Sequence, residues 1–306
     1  MALKTAGFIP IPPGKQPGFD HADVYRREAP GTSRLYVAHT GADCIDVIDS
    51  LSNSYLHSLP DVPGVAGILI DNQQDLLFSS DRGCARVSVY RCSDEALLGR
   101  VEVGHRPNGL AYDPVRHHLF VFNIGDPPRV NSTVSVVEVD EMRVIATIPL
   151  PGRPRWAVYD PDTENIYANV QTPAQIVVLS ATDLQIARAF NVPVAGPHGL
   201  VIAGERLFCA ADGEALVALH RDTGAVIGTV ALPGEPDVVM HDPALARLYV
   251  AIGSPGVVSV IDDHRLETLQ TVSTESGAHT IGWNPDTRTL YAFLPGSGRA
   301  VVLVEQ

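Results

Sequence analysis

The chain has 306 residues, 45% hydrophobic and 19% charged, with 26 glycines and 24 prolines, a composition that supports a sizeable core and suits short strands joined by tight turns. A formal charge of −13 repels phosphate backbones and sets nucleic acid aside as an expected partner. No apolar run approaches the ~18 residues of a membrane-spanning helix, and the N-terminus, Met1-Ala-Leu-Lys-Thr-Ala-Gly-Phe-Ile-Pro, has no apolar signal core, so the sequence reads as cytoplasmic, with no membrane contact.

In chain order, the first expected strand is Phe8-Ile-Pro-Ile-Pro-Pro-Gly14, which stands without a partner at this end of the chain. From there one phrase recurs: an apolar residue, an aromatic, then small or apolar residues. It begins at Leu35-Tyr36-Val37-Ala38 and returns with aromatics at Phe78, Phe120, Tyr167, Phe208, Tyr249 and Tyr291, a period of about 42 residues. Each copy predicts four strands. A strand ending in a turn comes first (Leu110-Ala-Tyr-Asp-Pro-Val-Arg116), then the aromatic phrase. A β-branched run follows (Val134-Ser-Val-Val137), then a turn such as Asp222-Thr-Gly224 and a fourth strand such as Val226-Ile-Gly-Thr-Val-Ala-Leu232. No stretch sustains helical periodicity.

Seven copies of four strands predict an all-β, seven-bladed β-propeller over residues 1–306 as one domain. The seventh copy ends at Ala300-Val-Val-Leu-Val-Glu-Gln306, after its third strand. The missing strand is Phe8–Gly14, which copies Thr147-Ile-Pro-Leu-Pro-Gly152 of the third copy, so the N-terminal strand closes the last blade and leaves no open edge.

Tyr36-Val37-Ala38-His39 followed by Cys44-Ile-Asp-Val-Ile-Asp49, and Tyr249-Val-Ala-Ile252 followed by Val258-Ser-Val-Ile-Asp262, resemble the YVTN-type (YncE-like) propeller family. The resemblance spans essentially the whole chain. It departs at the family's asparagine, which appears only as Asn123. It implies the fold and no particular reaction.

Positions that repeat in every copy build the scaffold, and positions that differ are free for function. The Asp-Pro and Asp-Thr-Gly turns repeat, so their face reads as scaffold. The opposite face varies. The residue opening each first strand is His21, Ala66, Asn108, Arg155, His198, Asp237 or His279. Three imidazoles near one axis predict a divalent-metal site formed by His21, His198 and His279. Asp237 would be a fourth ligand or base, and Asp20 would orient an imidazole. Arg155 and Asn108 would receive an anionic or carbonyl group of a small-molecule substrate. A second ring, after the second strands, offers His39, Asp81, Asn123 and Gln171 as substrate contacts. The third copy is five residues longer than the others, the excess falling in Gly125–Thr133, which reads as a lid over the same face or as a tolerated surface insertion.

Four cysteines, Cys44, Cys84, Cys92 and Cys209, form no Cys-x-x-Cys pair and are expected buried and reduced. His57, His105, His117, His118, His220, His241 and His264 map to outer strands or scaffold turns. Two functions fit this reading. One is a metal-dependent enzyme, with hydrolase, lyase or oxygen chemistry equally open. The other is a non-catalytic propeller that binds a small molecule or a protein on the same face. Neither reading fixes an oligomeric state.

Overall fold

The computed structural model describes residues 2–26, 32–127 and 131–306. The described residues form seven four-stranded antiparallel sheets arranged as a propeller. Blade one runs Ala22–Arg26, Ser33–His39, Cys44–Asp49 and Ser54–Leu59 from axis to rim. The innermost strands of blades two to seven are Val65–Asp71, Pro107–Asp113, Pro154–Asp160, Pro197–Ala203, Pro236–Asp242 and Ile281–Asn284. Among the described residues no helix is long and apolar enough to cross a membrane.

The N-terminal segment closes the last blade as expected, but the strand begins five residues earlier than Phe8–Gly14 and ends at Pro10. Leu3–Pro10 pairs antiparallel with Arg299–Glu305, with Phe8 opposite Val301 and Ile9 opposite Ala300. The N-terminal strand thus becomes the outer strand of blade seven.

The repeated aromatics Tyr36, Phe78, Phe120, Tyr167, Phe208, Tyr249 and Tyr291 are all 0% exposed. They and their β-branched neighbours fill the space between blades. Phe120, Phe122, Val134 and Val136 of blade three, for example, meet Ile166, Ala168, Val177 and Leu179 of blade four. Burying such side chains supplies ~1.5–3 kcal/mol each, which is why the phrase repeats.

At the far end of the inner strands, Asp71, Asp113, Asp160 and Asp242 each accept backbone N–H bonds from residues two or three positions on. These are Asx turns, so the repeated aspartates do structural work, as their monotony suggests. The cysteine expectation holds for Cys92 and Cys209 alone: Cys44 is half-buried and Cys84 exposed. Cys84 follows Arg82 and Gly83 in a short 3-10 turn at the surface.

Candidate functional site

The inner strands of blades two to six each shift register near their start, for instance between Pro107 and Leu110 and between Pro154 and Ala157. A bulge re-aims the side chains it carries, and these bulges carry the ring residues. Glycine beside them lets neighbouring blades close in. A Cβ on Gly109 would sit 2.3 Å from the Arg155 carbonyl oxygen, and one on Gly199 2.2 Å from that of Asp237.

The ring residues form a charged network. Arg82 donates to Asp20 at 3.0 Å and also to the Asn108 side-chain oxygen. Asp20 lies 3.6 Å from His21. His198 is held between two carboxylates, with Nδ1 2.8 Å from Asp212 and Nε2 3.1 Å from Asp237. Gln171 donates to Asp212 at 2.9 Å, and Arg155 lies 3.8 Å from the same carboxylate. His279 stands apart, its Nδ1 2.8 Å from the Gly277 carbonyl and its Nε2 3.0 Å from that of Phe19.

The ligand atoms that the structure gathers differ from the expected set. Among the described residues, the group that brings three His, Cys, Asp or Glu ligand atoms within 4.8 Å of one another is His39, Cys44 and Asp46. His21, His198 and His279 do not form one. Both nitrogens of His198 face carboxylates, which leaves that imidazole no lone pair to spare, and both of His279 face backbone carbonyls. Burial alone would lower the His198 pKa, but Asp237 and Asp212 outweigh it and raise it to about 9. The residue is therefore an imidazolium at neutral pH, whereas a metal needs neutral imidazole. Burial is also opposed at Asp237, where the charge and hydrogen bond of His198 hold the carboxyl well below the usual range. Burial keeps His21 below its ordinary value and so neutral, against the pull of Asp20 and Asp237.

Trp156, next to the ring residue Arg155, is a residue that carried no expectation from the sequence. Its ring lies 4.1 Å, centroid to centroid and edge-on, from His21. Blades one and four stand three places apart in a ring of seven, so this contact spans the axis. Trp156 also packs against the core around Val238 and Ile281 of blades six and seven. The signal was present: the corresponding residues are Ala22, Gly67, Gly109, Gly199, Val238 and Thr280, and blade four alone places an indole there.

Beyond that contact lies an axial cavity of about 610 Å³. Its wall includes Ile68, Leu110, Val158 and Met240, and its rim includes Pro114 and Pro161. The turns expected to be pure scaffold thus frame its mouth. Two half-buried acids, Asp23 and Asp71, line it. Burial raises the Asp23 pKa to about 6, against the backbone N–H groups of Ile70 and Val24 that hydrogen-bond its carboxylate.

The residues of the second ring divide between blade clasps and the axial network. Asp81 is fully buried and accepts from Ser79, Arg86 and Ser88. Asn123, also fully buried, donates to Thr133 and Ser135. Both serve as clasps between the second and third strands of one blade, out of a ligand's reach. His39 occupies the matching place in blade one, bonded to Asp46 at 2.8 Å, while Asp46 also accepts from Ser58 at 2.6 Å. Of the four expected contacts, Gln171 alone joins the axial network. The lid segment includes residues 128–130, which lie outside the described residues.

The His39–Cys44–Asp46 cluster has the donor set to coordinate a metal ion. Burial and the Asp46 charge push the Cys44 thiol up to about 12, so an ion would have to displace its proton. His39 also lines a cleft of about 300 Å³ between residues 12–19 and 295–298.

No family model matches the chain. A curated relative, the uncharacterized protein YwhL of Bacillus subtilis, is 23% identical over 98% of this chain, which spans 63% of that protein's length. Among solved structures, hydrazine synthase of Kuenenia stuttgartiensis superposes with a TM-score of 0.82 at 14% identity, covering 96% of this chain and 97% of that one. A chain of the mitotic checkpoint complex gives a TM-score of 0.82 at 13% identity, covering 99% and 92%. Likeness at this identity extends to the propeller fold alone.

Proposed function

We propose that this protein binds a small, largely apolar molecule in its axial cavity, bounded at the inner end by the Trp156–His21 contact. The observation that carries this reading is the cavity itself: about 610 Å³, within the range of small-molecule pockets, with apolar walls and one perturbed acid. Asp23, near pKa 6, would anchor an amine or hydroxyl on an otherwise apolar ligand. 1-Aminoanthracene is a suitable probe, being flat, apolar and bright only out of water. Saturable emission with quenching of Trp156 is expected, and Met240→Trp should abolish it by filling the cavity while the protein keeps its melting transition. Emission that never saturates, or that survives Met240→Trp, would count against the reading.

The second reading is a metal-dependent enzyme, favoured by His39, Cys44 and Asp46 beside their cleft. It ranks lower because Asp81–Ser88 and Asn123–Ser135 clasp blades two and three at the same place without metal ligands. Equilibrated with zinc and desalted, the protein would retain one equivalent by plasma mass spectrometry on this reading, and Asp46→Asn would lose it. Protein that comes off the column without zinc would retire it.

A further inference from the structure

On the other side of the Trp156–His21 contact, the loop face of blades two to four carries Arg82, Arg106, Arg153 and Arg155. We propose that this arginine cluster binds a small oxyanion, a carboxylate or a phosphate, independently of what occupies the axial cavity.

The first observation is the want of partners. Among the described residues, Arg106 and Arg153 have no side-chain hydrogen bond or ion pair, and Arg155 has only its 3.8 Å approach to Asp212. The Nε atoms of Arg82, Arg153 and Arg155 are buried with no acceptor. A guanidinium kept for structure would be expected to pair with carboxylates, as Arg116 does in bridging Asp113 and Glu164.

The second observation is the charge balance. In this network Arg82, Arg106, Arg153, Arg155 and the His198 imidazolium face Asp20, Asp212 and Asp237. Asp237 is taken up by His198, and Asp212 is shared among His198, Gln171 and Arg155. A net positive patch therefore survives in a chain whose formal charge is −13. Burial, then the charges of Arg155, Arg106 and Arg82, hold Arg153 below its ordinary pKa, with Asp212 opposing. Such crowding costs stability until an anion offsets it.

The third observation is how the cluster is placed. Arg106 and Arg153 each precede the proline that opens an inner strand, where blades five and six carry Gly196 and Glu235. Arg106 has a φ of 55°, a left-handed conformation uncommon for a non-glycine residue. An oxyanion between these side chains would accept from two or more guanidinium groups at once, a geometry suited to carboxylate and phosphate.

The test uses the full chain. Sodium phosphate and sodium malonate are titrated by calorimetry and by thermal melting, against sodium chloride at matched ionic strength. One or both should bind saturably and raise the melting temperature beyond the chloride control. Phosphate preference would mark a tetrahedral ligand, and malonate preference a carboxylate. Arg153→Met and Arg106→Asn (asparagine tolerates the positive φ) should each weaken binding at least tenfold, with Lys4→Ala as the unaffected control. Without added anion at low salt, Arg153→Met should melt no lower than the parent, since it relieves repulsion; should it fail to fold, Arg106→Asn carries the test. No response beyond chloride, or equal binding by both arginine variants and the parent, would overturn the proposal.

Discussion

Removing residues 1–14 is expected to abolish cooperative melting near the full-length temperature and to leave an association-prone chain. Leu3, Ile9 and Ile11 are 2%, 1% and 5% exposed. At ~1.5–3 kcal/mol per buried aliphatic side chain, their loss removes about 5–9 kcal/mol, comparable to the whole stability of a typical domain, about 5–15 kcal/mol. Leu3 also exchanges two hydrogen bonds with the Gln270 side chain, both 2.9 Å, which tie blade six to blade seven. Without this strand, Arg299–Glu305 becomes an unpaired edge bearing Val301 and Val302, a template for association. Thermal melting and gel filtration check this, and a truncated chain that melted with the parent would show that the ring closes another way.

What the sequence made legible follows from what a repeat encodes. Each copy states which strand pairs with which and which side chains meet the next blade, so blade number, strand order and closure could all be read from Tyr36, Phe78 and their counterparts. The ring positions were legible for the same reason, because they depart from a repeating frame. Contacts across the axis were not. Repeats define nearest neighbours, and nothing in them says that an indole from blade four reaches His21 of blade one. Nor do the repeats say that His198 meets Asp212 of its own blade and Asp237 of the next. Asp81 and Asn123 misled for a different cause: both end a second strand at the functional face, but antiparallel register turns their side chains toward Ser88 and Ser135. The His39–Cys44–Asp46 group was within reach of strand pairing, since His39 lies opposite Cys44 and Asp46 is two residues on.

His198→Gln is expected to destabilise the protein by about 3–5 kcal/mol, the range for breaking a buried charge pair from one side. The substitution leaves Asp237 and Asp212 facing a neutral amide at a site where His198 is 15% exposed and they are 24% and 23% exposed. The pH dependence has a definite direction. Because the His198 pKa rises from 6.5 to about 9 on folding, its contribution is complete below pH ~6.5 and is lost as pH climbs through 9. The shift corresponds to ~3 kcal/mol. Asp237 behaves oppositely: its folded pKa lies below the ordinary 3.8, so its contribution is present above that value and is lost as acid protonates it. The parent should therefore be most stable between about pH 5 and 6.5 with respect to this pair, and its melting temperature should fall from pH 7 to 10. His198→Gln should flatten that alkaline limb, so that the gap between the two proteins narrows as pH approaches 10. Urea unfolding of both proteins across pH 5–10 reads the gap directly. A constant gap across that range would show that His198 stabilises the axis by packing, with its charge contributing nothing.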